Sequence, residues 1–215
     1  MKKLTLLTVA LVSASLFAQA QITKGLVLLG GGISGGRGKS ESGSSETKFR
    51  SFGFSPAIGI AVKDNAVMGL RLSYSASKSE QDNAVYLQKN NGYSAGIFYR
   101  RYLSLSKAFY LFGEGAAYYG ANENKNESAP NNSKYVQENK VVGVNLYPGV
   151  TYVVGRRFHL EAGLNNLLSL QYTSSKNENT SSGQTSVNKS TGIDFSTNLS
   201  TAAPLTVGFR FVLGK

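Results

Sequence analysis

His159 is the only histidine in the chain and stands two residues before Glu161. On an extended backbone that spacing puts imidazole and carboxylate on one face. Such a pair could serve a hydrolase or acyltransferase as general base, provided a hydroxyl nucleophile were held beside it. The sequence positions no nucleophile there, and the pair follows directly on a short turn, so it reads as a lumen-lining or rim histidine. One histidine and no cysteine give a poor metal site, since zinc sites commonly need three or four ligands. The same absence removes disulfides, a cysteine nucleophile and a lipoprotein anchor.

Two glycine-rich stretches imitate nucleotide sites. Gly30-Gly31-Gly32-Ile33-Ser34-Gly35 satisfies G-x-G-x-x-G, but that loop must open a helix and be followed by an acid about 20 residues on. A Gly/Ser stretch follows instead. Arg37-Gly38-Lys39-Ser40 ends like a P-loop, yet Ile33 occupies the place of its first glycine. Glycines there more simply save space inside a crowded structure. No catalytic, cofactor-binding or metal-binding residue is expected.

The elements around these residues are legible from the N-terminus onward. Lys2 and Lys3, an apolar stretch from Leu4 to Phe17, and Ala18-Gln19-Ala20 make a secretory signal pattern. Residues 1–20 are therefore expected to be cleaved after Ala20, and 21–215 to form one domain. No later stretch approaches the roughly 18 apolar residues of a helical span. The formal charge of +11 is spread singly along the chain, which gives nucleic acid no basic platform and suits an anionic envelope surface better.

From Gly25 onward, segments rich in Gly, Tyr, Phe, Val and Leu with period-2 alternation are separated by polar breaks. Eight are expected: Leu26 to Gly36, Phe49 to Val62, Val67 to Ser77, Tyr93 to Leu103, Phe109 to Gly120, Val141 to Val154, Phe158 to Tyr172, and Ile193 to Leu213. The breaks alternate in length. Arg37 to Lys48, Lys78 to Asn91, Ala121 to Lys140 and Thr173 to Thr191 are long, and 63–65, 104–107 and 155–157 are short. Long outer loops and short inner turns are the habit of an antiparallel up-and-down transmembrane β-barrel.

Alternation then assigns faces. Leu70, Leu72 and Tyr74 fall on one side and Arg71 and Ser73 on the other, and turning Arg71 to hydrocarbon would cost about 2–4 kcal/mol. Ile58, Ile60 and Val62 oppose Ala57, Gly59 and Ala61, and Leu205, Val207, Phe209, Phe211 and Leu213 oppose Thr206, Gly208 and Arg210. Tyr99, Tyr102, Phe109, Tyr152 and Phe158 flank the short turns, and Tyr74, Tyr93, Tyr119 and Tyr172 border the long breaks, as two girdles would. The same parity gathers Arg71, Arg100, Glu114, Glu161 and Arg210 inside, where an ion network plugging the lumen is expected. Pro148 and Pro204, lacking an N–H, call for local bulges.

Arg100-Arg101-Tyr102 running through Leu103 to Lys107 into Phe109-Tyr110-Leu111-Phe112-Gly113-Glu114-Gly115 resembles the central hairpin of the small outer-membrane β-barrel domain family, the OmpA/OmpX-like eight-stranded barrels. Pro148-Gly149-Val150-Thr151-Tyr152, Arg157-Phe158-His159-Leu160-Glu161 and Gly208-Phe209-Arg210-Phe211 look like its sixth, seventh and last strands. The resemblance implies a monomer in a Gram-negative outer membrane, in contact with its lipid, lipopolysaccharide and assembly machinery. A non-enzymatic structural or surface-interaction role, porin-like or adhesion-like, is the expectation. A lipid-modifying enzyme using His159, a narrow channel, and a soluble lipocalin-like barrel with its faces inverted are the alternatives.

Overall fold

The computed structural model describes residues 22–42, 45–81, 86–128, 133–155, 157–164, 167–181, 183–197 and 205–214. The expected signal segment, 1–20, and Pro204 lie outside them. The described chain forms strands β1 (Val27–Ser42), β2 (Ser45–Lys63), β3 (Ala66–Gln81), β4 (Tyr86–Ser104), β5 (Phe109–Ser128), β6 (Ser133–Val153), β7 (Phe158–Leu164), β8 (Leu168–Ser181), β9 (Gln184–Thr197) and β10 (Leu205–Leu213).

These ten strands make an eight-stranded antiparallel barrel. β1 to β6 follow one another around the wall, β7 and β8 both bond to β6 as two halves of the seventh wall strand, and β9 and β10 supply the eighth. The ring closes where β10 bonds to β7 on one side and to β1 on the other. The seventh strand is interrupted opposite Pro148: the β6 ladder leaves β8 at Leu146 and resumes on β7 at Gly149. A proline nitrogen cannot donate, so the break falls where the ladder loses nothing further.

The period-2 pattern dictates an inside-out molecule. Ile58, Ile60, Met68, Leu70, Leu72, Ile97, Val144 and Leu146 are each about half exposed on the outer face. Alternate positions point inward, where Leu28, Val67, Phe98, Phe112 and Val212 are buried. That is the reverse of a soluble ligand-binding barrel, which keeps its apolar face inside. Outward Tyr99, Phe109 and Tyr152 ring the short-turn end, and outward Tyr74, Tyr93, Tyr119 and Tyr172 ring the belt's other edge. Tyr102 leaves the expected girdle: its parity with Arg100 turns it into the lumen, where it is buried.

A second correction concerns the long polar breaks. They are paired strand for most of their length: β1 and β2 stay in register to Ser42↔Ser45, β3 and β4 to Gln81↔Tyr86, β5 and β6 to Ser128↔Ser133, and β8 and β9 to Ser181↔Gln184. Backbone ladders need no apolar alternation once both faces are wet, and cross-strand pairs hold these extensions instead. Lys39 and Lys48 bracket Glu46, and Lys125 pairs with Glu123, at 2.6–3.0 Å for each pair including Lys39–Glu41.

Candidate functional site: the layered lumen

Three layers fill the barrel. At the short-turn end Ile22 folds under the wall and is buried with Leu28, Ala61, Val67, Tyr110, Val153 and Val212. Backbone bonds fasten this floor: Asn65 N–H donates to the Ile22 carbonyl and Tyr102 N–H to that of Asn65, each at 2.8 Å. Above it lies the charge cluster, and above that a polar vestibule.

The cluster assembles all five residues that strand parity turns inward. Arg100 on β4, Glu114 on β5 and Tyr147 on β6 occupy one continuous cross-strand row. Arg100 donates from Nε and approaches with Nη2, each 2.7 Å from Glu114 Oε2. Glu114 Oε1 accepts from Arg71 Nη2 at 2.6 Å and from the Tyr147 hydroxyl, which itself receives Arg71 Nη2 at 2.8 Å. Across the lumen, Glu161 on β7 accepts from Arg100 Nη1 at 2.6 Å and from Arg210 Nε on β10 at 2.9 Å. Arg210 Nη2 also lies 3.6 Å from Glu114 Oε2.

Aromatic faces complete the desolvation. The Arg100 guanidinium sits 3.8 Å from the Phe112 ring centroid, and Arg71 and Arg210 lie 5.3 and 5.4 Å from that of Phe98. Cations favour those faces over bare hydrocarbon. Arg100, Glu114 and Arg210 are only 2–3% exposed, so this layer closes the lumen to bulk water. Small residues make the space. A Cβ on Gly149 would lie 2.2 Å from Phe112 Cζ, and one on Gly30 would lie 2.7 Å from Arg210 Cγ.

Sequence parity did not single out Tyr147, although it lies in the sixth expected segment. Its alternation with Asn145 and Gly149 would have turned it inward, but only the β5–β6 register shows that it faces Glu114. His159 is 1% exposed, and neither ring nitrogen reaches a hydrogen-bond partner. Thr151 Oγ1 and Arg210 Nη1, on the strands flanking it, are likewise unpartnered and buried. His159 is thus placed beneath the charge cluster, away from the membrane-exposed wall. The two nucleotide-like stretches form one uninterrupted strand, β1, and open no helix.

What the arrangement can do follows from its contents. Three guanidinium groups against two carboxylates leave one net positive charge in a confined space, and every one of these charges has an opposite partner. A layer so satisfied is a plug or, if it rearranges, a gate.

Apolar outward, charged inward and closed by its first and last strands, the molecule has the fold of an outer-membrane-type β-barrel. Comparison with solved structures agrees. The translocator domain of the autotransporter NalP from Neisseria meningitidis superposes with a TM-score of 0.52 at 16% identity, over 90% of this chain and 66% of that one. The chain thus spans about two thirds of that domain's length. No protein-family model and no curated protein matches the sequence.

Proposed function

We propose that the chain is a monomeric, OmpA/OmpX-like outer-membrane barrel of a Gram-negative envelope, exported with cleavage after Ala20 and structural or surface-interacting rather than enzymatic. The observation that carries this reading is the Arg71–Glu114–Arg100–Glu161–Arg210 network, which is satisfied internally and fills the lumen above an apolar floor. A barrel of eight strands has an interior just wide enough for side chains to fill. Its outer belt supports contact with membrane lipid and lipopolysaccharide, and insertion by the envelope's assembly machinery. The paired extensions beyond the tyrosine girdle offer a rigid, polar surface for an extracellular partner. No nucleic-acid partner is expected, because the basic residues stand singly along the sequence.

Fractionation followed by electrophoresis of unheated and boiled samples tests the placement. The folded chain is expected to pellet with outer membranes and to migrate differently after boiling. A mature polypeptide that stays folded in buffer without detergent refutes it. A narrow channel is the second reading, favoured by the same charges reaching across the lumen from β4 and β5 to β7 and β10. A steady single-channel conductance that is lost in Arg100 or Glu114 variants would establish it over the plug.

A further inference from the structure

Basic residues that stand apart in the sequence are brought together by the register of the wall. Arg37 on β1 is the ladder partner of Arg50 on β2, Arg50 of Lys78 on β3, Lys78 of Lys89 on β4, and Lys89 of Lys125 on β5. Five consecutive strands thus carry five cations in one unbroken row. At about 4.8 Å between strands the row is roughly 19 Å long. It ends at β6, where Val136 is the partner of Lys125.

All five positions take the outer face. Lys78 continues the two-residue period of outward Leu72 and Tyr74, Lys89 that of Ile97 and Tyr93, and Lys125 that of Tyr119. Arg50 follows outward Phe54 and Arg37 outward Ile33 in the same way. Positions of the opposite parity, such as Ser75, Gly92 and Asn122, line the polar vestibule.

Ladder energetics give no structural reason for such a row. Opposite charges facing across a ladder stabilise it and like charges destabilise it. Elsewhere the extensions follow that rule, with Lys39 and Lys48 bracketing Glu46. Here four successive partner pairs set cation against cation. Two acids border the row: Glu80 pairs with Lys78 and lies in the field of Arg50, and Glu123 pairs with Lys125 at 2.8 Å. Arg37, Arg50 and Lys89 make no ion pair among the described residues.

Height selects the partner. Lys78 stands four residues past girdle Tyr74, Lys89 four past Tyr93 and Lys125 six past Tyr119. At about 3.3 Å per residue and a strand tilt of roughly 40°, the row lies about 10 to 15 Å above the aromatic band. The polar zone of an ordinary bilayer adds only about 5 to 7 Å on each side of the hydrocarbon. Phospholipid phosphates therefore stay below the row, and a taller anionic head reaches it. One phosphate can meet two neighbouring cations at this spacing, so five cations call for several phosphates.

We propose that the row is a docking belt for the phosphorylated saccharide head of outer-leaflet lipopolysaccharide, whose acyl chains lie against the apolar wall beneath Phe54, Tyr74 and Tyr93. The proposal rests on the membrane placement given above and names the site of that lipid contact. Its test uses a barrel that has already passed the heat-shift assay, so a failure here leaves the placement standing.

The probe is rough lipopolysaccharide, intact or chemically stripped of its phosphates, added to the mature barrel in an ethylene-glycol detergent and read by native mass spectrometry. Saturable retention of the intact form is expected, about tenfold or more tighter than that of the stripped form. Arg50→Gln with Lys89→Gln should weaken it by a similar factor. Lys134→Gln with Lys189→Gln removes the same charge away from the row and should leave retention unchanged. Because Arg50→Gln with Lys89→Gln relieves like-charge contacts, that variant should fold into phospholipid vesicles at least as stably as the parent. No saturable retention, equal retention of the two forms, or equal weakening by the two double variants overturns the belt. So does phosphatidylglycerol binding as tightly, a soluble polyphosphate displacing the lipid at equal phosphate concentration, or an Arg50/Lys89 variant less stable than the parent.

Discussion

Replacing Glu114 with glutamine is the sharpest perturbation of the lumen. The carboxylate is 2% exposed and receives Arg100, Arg71 and the Tyr147 hydroxyl, with Arg210 near. Glutamine keeps the shape but offers one accepting oxygen, and its amide would point two donors at guanidinium groups that can only donate. Net charge in the cluster would rise from one to two positive, with Glu161 the remaining anion. Removing one member of a buried charge pair typically costs about 3–5 kcal/mol because its partner stays buried and unpaired. That corresponds to a factor of roughly 100 to 4,000 in the folding equilibrium. The assay is equilibrium folding into phospholipid vesicles across a urea series, read by gel mobility. Arg71 has 31% of its side chain exposed and can turn to water, so Arg71→Gln should cost less than Arg100→Gln. In the double variant Glu114→Gln/Arg71→Gln the costs should fall short of their sum, as coupled neighbours do. A Glu114→Gln barrel within about 0.5 kcal/mol of the parent would show that the cluster contributes nothing to holding the wall, and would refute pairing as the source of its stability.

Other tests address separate links. Leu72→Arg, on the outer face, should cost about 2–4 kcal/mol in the same vesicle assay while Ser75→Arg, on the vestibule side, is tolerated; equal costs would refute the assigned parity. Gly149→Ala forces a methyl against Phe112 and the Ala162 carbonyl, and should lower the temperature of the gel-mobility transition by a loss of about 1–3 kcal/mol. Lysines 39 and 48 hold the Glu46 carboxyl below its usual range, and Lys78 does the same for Glu80. A depressed carboxylate contributes above its unfolded pKa and loses that contribution as pH falls through the folded one. Acidification below the carboxylate range should therefore speed amide exchange at Thr47–Phe49, while the folded fraction stays unchanged because these ion pairs are solvent-screened and stand on the polar extensions.

Alternation made the membrane-level wall readable because every second residue there meets a different solvent. Leu70-Arg71-Leu72 carries enough contrast to fix its own face. The five cluster residues were legible for the same reason, as charges that could not point outward. Three features were not. The breaks Ala121 to Lys140 and Thr173 to Thr191 read as loops because, over their described residues, water wets both faces of a strand above the girdle, which erases the period. Tyr102 and Tyr147 are tyrosines like those of the girdles, and only register and parity taken together separate lumen from rim. The split of the eighth wall strand into β9 and β10, of which only β10 pairs with β1 among the described residues, depends on how distant segments meet, which no local pattern encodes.

The cluster's position also bears on how the ring stays shut. β5 and β6 are laced from Phe109↔Tyr152 to Ser128↔Ser133, but β10 holds β1 only from Val27↔Leu213 to Gly31↔Phe209. Among the described residues the closing seam has five paired positions, as few as β6 has on β7 and fewer than β10 has on β7, and Arg210 lies within it, opposite Gly30. From there its guanidinium reaches Glu161 on β7 and approaches Glu114 on β5, so the side chain ties the closing strand to two others, one of them across the lumen. Glycine at position 30 leaves the Arg210 stem room to run inward. If this tie fastens the ring, Arg210→Met should loosen the β1–β10 ladder before the rest of the wall. Amides of Leu28–Gly31 would then exchange faster while those of Phe98–Tyr102 stay protected. Uniform loss of protection around the barrel would mean that Arg210 supports global stability and has no special part in closure.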